Sequence, residues 1–128
     1  MANNIGYFEI PADDIGRARK FYRSLFGWKI EPAKNIDPAS AAALQYHSIT
    51  TGPAQQDTMN TGGMYKRQMG ETIKNFVFVE DFDTVFSNVE KLGGSIVMPA
   101  TEIRGVGMVG IIRDTEGNGV GILKPEKK

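Results

Sequence analysis

Cysteine is absent from this chain, histidine occurs once, and fifteen Lys and Arg are balanced by fifteen Asp and Glu. Each shortage closes a class of function. Without cysteine there is no disulfide, no thiolate nucleophile and no thiolate metal site. The single histidine, His47, cannot build a two-histidine metal centre. A chain of zero net charge sets up no global field for nucleic acid or anionic lipid, and no basic run is interleaved with aromatics. The longest apolar-plus-glycine run, GVGMVGII, is far too short to span a bilayer. The start, MANNIGYFEIP, lacks the basic residues and long apolar stretch of a signal peptide. These absences predict a cytoplasmic protein without membrane or nucleic-acid partners. A length of 128 residues fits one compact domain, or two small halves sharing a core.

What is present is an internal repeat. At an offset of 67 positions, YFEIPADDIGRARKFYRSLFGWKIEP lies over KNFVFVEDFDTVFSNVEKLGGSIVMP. Asp13 and Asp14 fall on Glu80 and Asp81, Ile10 on Val77, Ala18 on Val85, Leu25 on Leu92, Gly27 on Gly94 and Pro32 on Pro99. Caps, apolar stripe, closing glycine and proline share one register, so the chain reads as two copies of one unit, about 4–66 and 73–124.

Both copies follow the same local rules. Residues 4–11 and 73–80 are aromatic and branched, as strands are. Asp13-Asp14 and Glu80-Asp81 can cap a helix by accepting from its first free N–H groups. Ile15, Ala18, Phe21, Tyr22 and Leu25 recur at helical spacing, as do Phe82, Val85, Phe86, Val89 and Leu92. Gly27 and Gly93-Gly94 suit the left-handed residue that ends a helix. Strands are expected at 28–32, 42–50 and 60–66, then at 95–101, 106–113 and 119–124. EPAKNIDPAS and TTGPAQQDT read as loops, and residues 67–72 join the halves. Each copy is a strand, a helix and three strands, and neither could bury both faces of its sheet alone.

On FEIPADDIGRARKFYRSLFGWKI, the GGM at 62–64, VEDFDTVFSNVEKLGGSIVMPATEI and RDTEGNGVGIL, the chain resembles the vicinal oxygen chelate superfamily, the glyoxalase, bleomycin resistance protein and dioxygenase group. The resemblance implies an α+β fold of two tandem βαβββ modules. Their curved sheets would form a cleft for a small molecule, often over a divalent metal. It also implies metal ligands at set points: a His or carboxylate seven residues before the junction Asp, and a Glu four residues after the glycine of the last turn. Those points are Tyr7, Lys74 and Gly121 here, and the first-module match to Gly121 falls within Gly62, Gly63 and Met64. None supplies an imidazole or carboxylate, and the ammonium of Lys74 would repel a cation. No metal and no cofactor are therefore expected.

Alternation puts Tyr7 and Glu9 on one strand face and Phe8 and Ile10 on the other. By the family's ligand position, Tyr7, Glu9, Lys74 and Phe76 line the cleft, joined by Met64 and Gly121. Glu9 is then either an anchor, paired with Lys74 or a backbone N–H, or a general base acting beside a carbonyl. Trp28 is expected to pack between the modules, His47 to be a polar strand residue, and Glu102 and Arg104 to sit in a glycine-rich turn. The expected function is metal-independent binding of a small, anionic organic ligand by a homodimer. The alternative is a glyoxalase-like lyase or isomerase that uses a metal or Glu9.

Overall fold

A computed structural model describes residues 3–34, 38–55 and 58–126. The chain divides into two compact units, Tyr7–Ile73 and Lys74–Lys128, the latter taking the first residues through Gly6. Parts of both expected loops, 35–37 and 56–57, lie outside the described residues. Among the described residues no helix is long and apolar enough to cross a membrane.

The first unit runs β1 (Ile5–Ala12), α1 (Ile15–Phe26), β2 (Lys29–Pro32), α2 (Pro38–Leu44), β3 (His47–Thr50) and β4 (Thr61–Lys66). Its strands lie in the order β2-β3-β4-β1, with β1 and β4 parallel and the other pairs antiparallel. The second runs β5 (Lys74–Phe78), α3 (Phe82–Ser87), β6 (Ser95–Ile103), β7 (Gly107–Arg113) and β8 (Gly119–Pro125). Its order is β6-β7-β8-β5, again with first and last strands parallel. Both units are βαβββ modules, the first with an added helix.

The caps form as the carboxylates predict. Asp14 accepts from Arg17 N at 3.0 Å, and Asp81 accepts from Thr84 N at 3.1 Å. Gly27, at φ 74, ends α1 with its N–H on Arg23 O, a conformation that glycine adopts without a Cβ penalty. Behind the first sheet Ile10, Ile15, Ile30, Ile49 and Met64 make one core, with Phe8, Ala18, Tyr22 and Trp28 packed against it. Ile30 and Ile49 are ladder partners and each is 1% exposed, so each contributes about 1.5–3 kcal/mol by leaving water. The second core gathers Val79, Phe82 and Ile122 with Val77, Val85 and Phe86. Phe8 and Ile10, and likewise Val77, thus face the helix layer, as alternation requires.

Four expectations change. The strand expected over 42–50 is confined to His47–Thr50, because residues 38–44 are helical. Proline suits a first helical position, and the alanine-rich PASAAAL that follows has high helix propensity and no β-branched residue. The second helix ends at Ser87 rather than reaching Leu92, and residues 88–93 continue as turns with bonds such as Gly93 N to Glu90 O. Thr84 and Val85 are weaker helix formers than Arg17 and Ala18, their counterparts in α1. Phe21 and Leu25 do not join the buried stripe of α1 and stay 56% and 60% exposed. Trp28 finds its ring partners inside its own unit: it stacks on Tyr22 at 5.2 Å and contacts Phe8 and Phe26.

Candidate functional site

In the first unit, the sheet face away from α1 carries a chain of polar groups. The hydroxyl of Tyr46, just before β3, donates to Glu9 Oε2 at 2.7 Å. It also lies 2.6 Å from the hydroxyl of Tyr7. A phenol has one hydrogen, so with Tyr46 donating to the carboxylate, Tyr7 must donate to Tyr46. The order is Tyr7 O–H to Tyr46 O–H to Glu9. Tyr46 also stacks on Tyr65, with ring centres 6.5 Å apart and planes within 10°.

The ladder explains the meeting. Glu9 lies across from Gly63 on the parallel β1–β4 pair, and His47 across from Met64 on β3–β4. Tyr46 therefore projects on the face that holds Gly63 and Glu9. Gly63 is required there, since a Cβ would come within 1.9 Å of the Tyr46 hydroxyl oxygen and 2.6 Å of that of Tyr7. The two phenols occupy the room a side chain at 63 would need.

Burial raises both phenols. Loss of solvent pushes the Tyr7 hydroxyl up from 10.0 to about 12, the bond with Tyr46 opposes the shift, and the nearby Glu9 charge adds to it. Tyr46 is pushed well above the ordinary phenol value, first by burial, then by the charge of Glu9 and by Tyr7. At neutral pH both are protonated donors. Such a chain can hold a carboxylate in one orientation, and can pass a proton toward or away from it.

In the second unit, Lys74 opens β5 and is half-buried, while Phe76 is 5% exposed. Phe76 is the ladder partner of Gly121. A Cβ at Gly121 would fall 2.2 Å from the Phe76 ring, so the ring covers the glycine. By the 67-residue offset Phe76 corresponds to Glu9, and by ladder register Gly121, across from Phe76, corresponds to Gly63, across from Glu9. The earlier choice among Gly62, Gly63 and Met64 is thereby narrowed to Gly63.

Met64 is a correction. Its ladder partner is Ile10, which points to the helix layer, and Met64 is 0% exposed within that core. It fills space there and offers no surface to a ligand. Gly62 shares the helix side, beneath the ring of Phe8. For Glu9 the structure shows a donor, Tyr46, that was not among the partners read from sequence. Tyr46 itself was missed. It lies outside the repeat alignment and reaches Glu9 from 37 positions away, so only the β3–β4 register could have revealed it. His47 is the polar strand residue expected, with Nδ1 on Gln45 O at 2.7 Å. Glu102 ends up near the end of β6 and Arg104 in the following turn, both exposed. Among the described residues no three His, Asp or Glu side chains gather as a metal site would require.

The comparisons with known proteins agree on the fold. The family model of the Glyoxalase/Bleomycin resistance protein/Dioxygenase superfamily matches residues 4–122. The chain is 32% identical over 124 residues to a glyoxylase-like domain-containing protein of Didymella fabae, covering 92% of this chain and 91% of that one. It is 28% identical to the putative glyoxylase CFP32 of Mycobacterium bovis over 94% of its own length, but spans only 45% of that protein. Among solved structures, methylmalonyl-CoA epimerase from Mycobacterium tuberculosis has a TM-score of 0.67 at 12% identity, covering 96% of this chain and 88% of that one. The hypothetical protein BH1468 from Bacillus halodurans reaches 0.68, also at 12% identity, covering 100% and 98%. These last likenesses show the fold alone. With paired βαβββ modules and a family match over nearly its whole length, the chain belongs to the glyoxalase/bleomycin resistance protein/dioxygenase superfamily.

Proposed function

We propose that this protein binds a small organic molecule on the sheet face of Tyr7, Glu9 and Tyr46, and that it does so without a metal. The observation that carries the reading is the Tyr46 hydroxyl donating to Glu9 at 2.7 Å, which holds a carboxylate ready for a ligand's polar group. The donor set does not fit a divalent cation. In the first unit Tyr7 is a phenol pushed up to about 12 and aromatic atoms take the room at Gly63; in the second, by itself, Lys74 is a cation and the Phe76 ring takes the room at Gly121. Taken by itself, the second unit offers Lys74 to an anionic group and Phe76, beside Gly121, to an apolar one. A cysteine-free chain suits a cytoplasmic setting, and a homodimer is part of the same reading, to be checked by sedimentation.

The test has two arms. Native mass spectrometry of freshly purified protein should show a small organic adduct that Glu9→Gln or Tyr46→Phe reduces. Added Zn²⁺, Ni²⁺ or Mn²⁺ should give no saturable rise in melting temperature, because only binding to the native state stabilises it. A rise that is removed by chelator and by Glu9→Ala overturns the metal-free reading. No adduct, together with no tyrosine absorbance change across a panel of small organic acids, overturns the binding face.

A second reading is favoured by the same hydrogen-bond chain and by the relatives named as glyoxylases: a lyase or isomerase in which Glu9 removes a proton beside a carbonyl. Deuterium uptake from D₂O into small 2-oxo compounds separates the two. Under this reading Glu9→Gln binds the compound almost normally and exchanges about 10²-fold more slowly or worse.

A further inference from the structure

Tyr46 also borders a groove of about 560 Å³ in the first unit, set among the end of β2, α2 and the turn before β3. Nothing in the proposed function uses it. Its apolar wall is made of small residues, Pro32, Pro38, Ala41 and Ala42, and its polar groups include Lys34 and His47.

The imidazole is oriented by its turn. Gln45 has φ 49 and is the one non-glycine residue with positive φ among the described residues, a conformation that an L side chain seldom adopts. Its carbonyl meets His47 Nδ1 at 2.7 Å. A carbonyl only accepts, so Nδ1 carries the hydrogen, and in the neutral ring Nε2 is left as an acceptor. The strained turn thus selects the tautomer of a side chain that lines a groove.

An acceptor nitrogen calls for a donor on the ligand. Lys34, exposed at this groove, disfavours a cationic donor and attracts an anion. The small apolar wall takes a short hydrocarbon or a single ring. We propose that the groove is a second site, binding a small hydroxycarboxylic acid: the hydroxyl donates to His47 Nε2 and the carboxylate pairs with Lys34.

The probe is 4-hydroxybenzoate, titrated into the full chain at about pH 8, where an imidazole is ordinarily neutral. His47 is the only histidine, so its ring resonances report the site without assignment. They should shift saturably. Replacing the probe by 4-methoxybenzoate, or the protein by Lys34→Met, should weaken binding about fivefold or more, as the loss of one hydrogen bond or exposed ion pair implies. Ala42→Phe alters an exposed helix position, leaves His47 and Lys34 in place and should abolish the shift by filling the groove. Circular dichroism establishes that each variant is folded. The proposal fails if His47 shows no saturable shift by about 20 mM, a generous ceiling for a ligand of this size. It fails equally if the methoxy compound binds as well, or if folded Ala42→Phe titrates like the parent.

Discussion

The two units share one ladder plan and fill it with opposite chemistry. Glu9 and Phe76 are equivalent by the repeat, and each lies across from a glycine on a parallel last strand. In the first unit two phenol hydroxyls occupy the room above Gly63, and in the second the Phe76 ring itself covers Gly121. The backbone space is the same, but one is lined by a carboxylate with its donors and the other by hydrocarbon. A duplicated module keeps what the ladder needs, namely a residue with no side chain at that register. Its chemistry is free to diverge, and here the polar, proton-bearing groups collect in the first copy.

The largest test of that comparison is to put back the missing Cβ. Gly63→Ala must displace both phenols, which adds crowding to the loss of buried hydrogen bonds, and should cost about 3 kcal/mol. Gly121→Ala only crowds a ring and should cost about 2 kcal/mol. Urea unfolding of both variants measures the difference. Equal costs would mean that the phenol chain adds no stability beyond filling space.

Next in size is the chain itself. Tyr46→Phe removes the central hydroxyl and with it the bonds that Tyr46 makes to both Glu9 and Tyr7, at about 2 kcal/mol. Tyr7→Phe removes the donor to Tyr46 and should cost about 1 kcal/mol. The two should couple in a double-mutant cycle, since Tyr7 bonds through Tyr46. Strict additivity would show that the hydroxyls do not act as a chain. The same burial predicts an alkaline transition. The native state keeps the Tyr7 proton up to about 12, whereas the unfolded chain releases it near 10.0. The associated stability is whole below 10.0 and is lost as pH rises toward 12. Absorbance near 295 nm should show Tyr7 ionising late, and Tyr7→Phe should blunt the loss.

Much of the plan was legible because it depends on local signals. Strand alternation gave the faces of Tyr7, Glu9, Phe8 and Ile10, and paired carboxylates marked both helix starts. The added helix was not legible because the polar stretch ending at Pro38 reads as a loop and 42–50 as a strand, although Pro38 followed by alanines is also a helix start. The length of α3 turned on weak formers at 84–89 that periodicity ignores. Met64 and Tyr46 were lost for another reason. Which face a residue on β3 or β4 takes depends on register with a strand tens of positions away, and register is a tertiary fact. The polar chain is built from such non-local pairs, so the carboxylate could be read from sequence and its donor could not.

The smallest effects are at the helix caps, where the two copies differ by one bond. Among the described residues the Asp14 carboxylate accepts from the backbone N–H of Arg17 alone. Asp81 accepts from both the backbone N–H of Thr84 and its hydroxyl, the latter at 2.7 Å. Asp14→Ala should cost about 1 kcal/mol, the usual worth of an N-cap, and it acts on a helix of 12 residues. Asp81 serves a helix of 6 residues, and its distinctive signature is in acid. The hydroxyl of Thr84, and then its N–H, hold the Asp81 carboxyl below its ordinary 3.8. A carboxyl depressed in the folded state stabilises it above the unfolded value, and that contribution is lost as pH falls from about 3.8 through the lower folded value. Thr84→Val removes the hydroxyl donor while keeping the N–H. It should therefore move the Asp81 titration, followed by NMR of the carboxyl carbon, back toward 3.8 with little change in stability at neutral pH. If the titration does not move, the hydroxyl bond is not what lowers the carboxyl, and the two caps are equivalent after all.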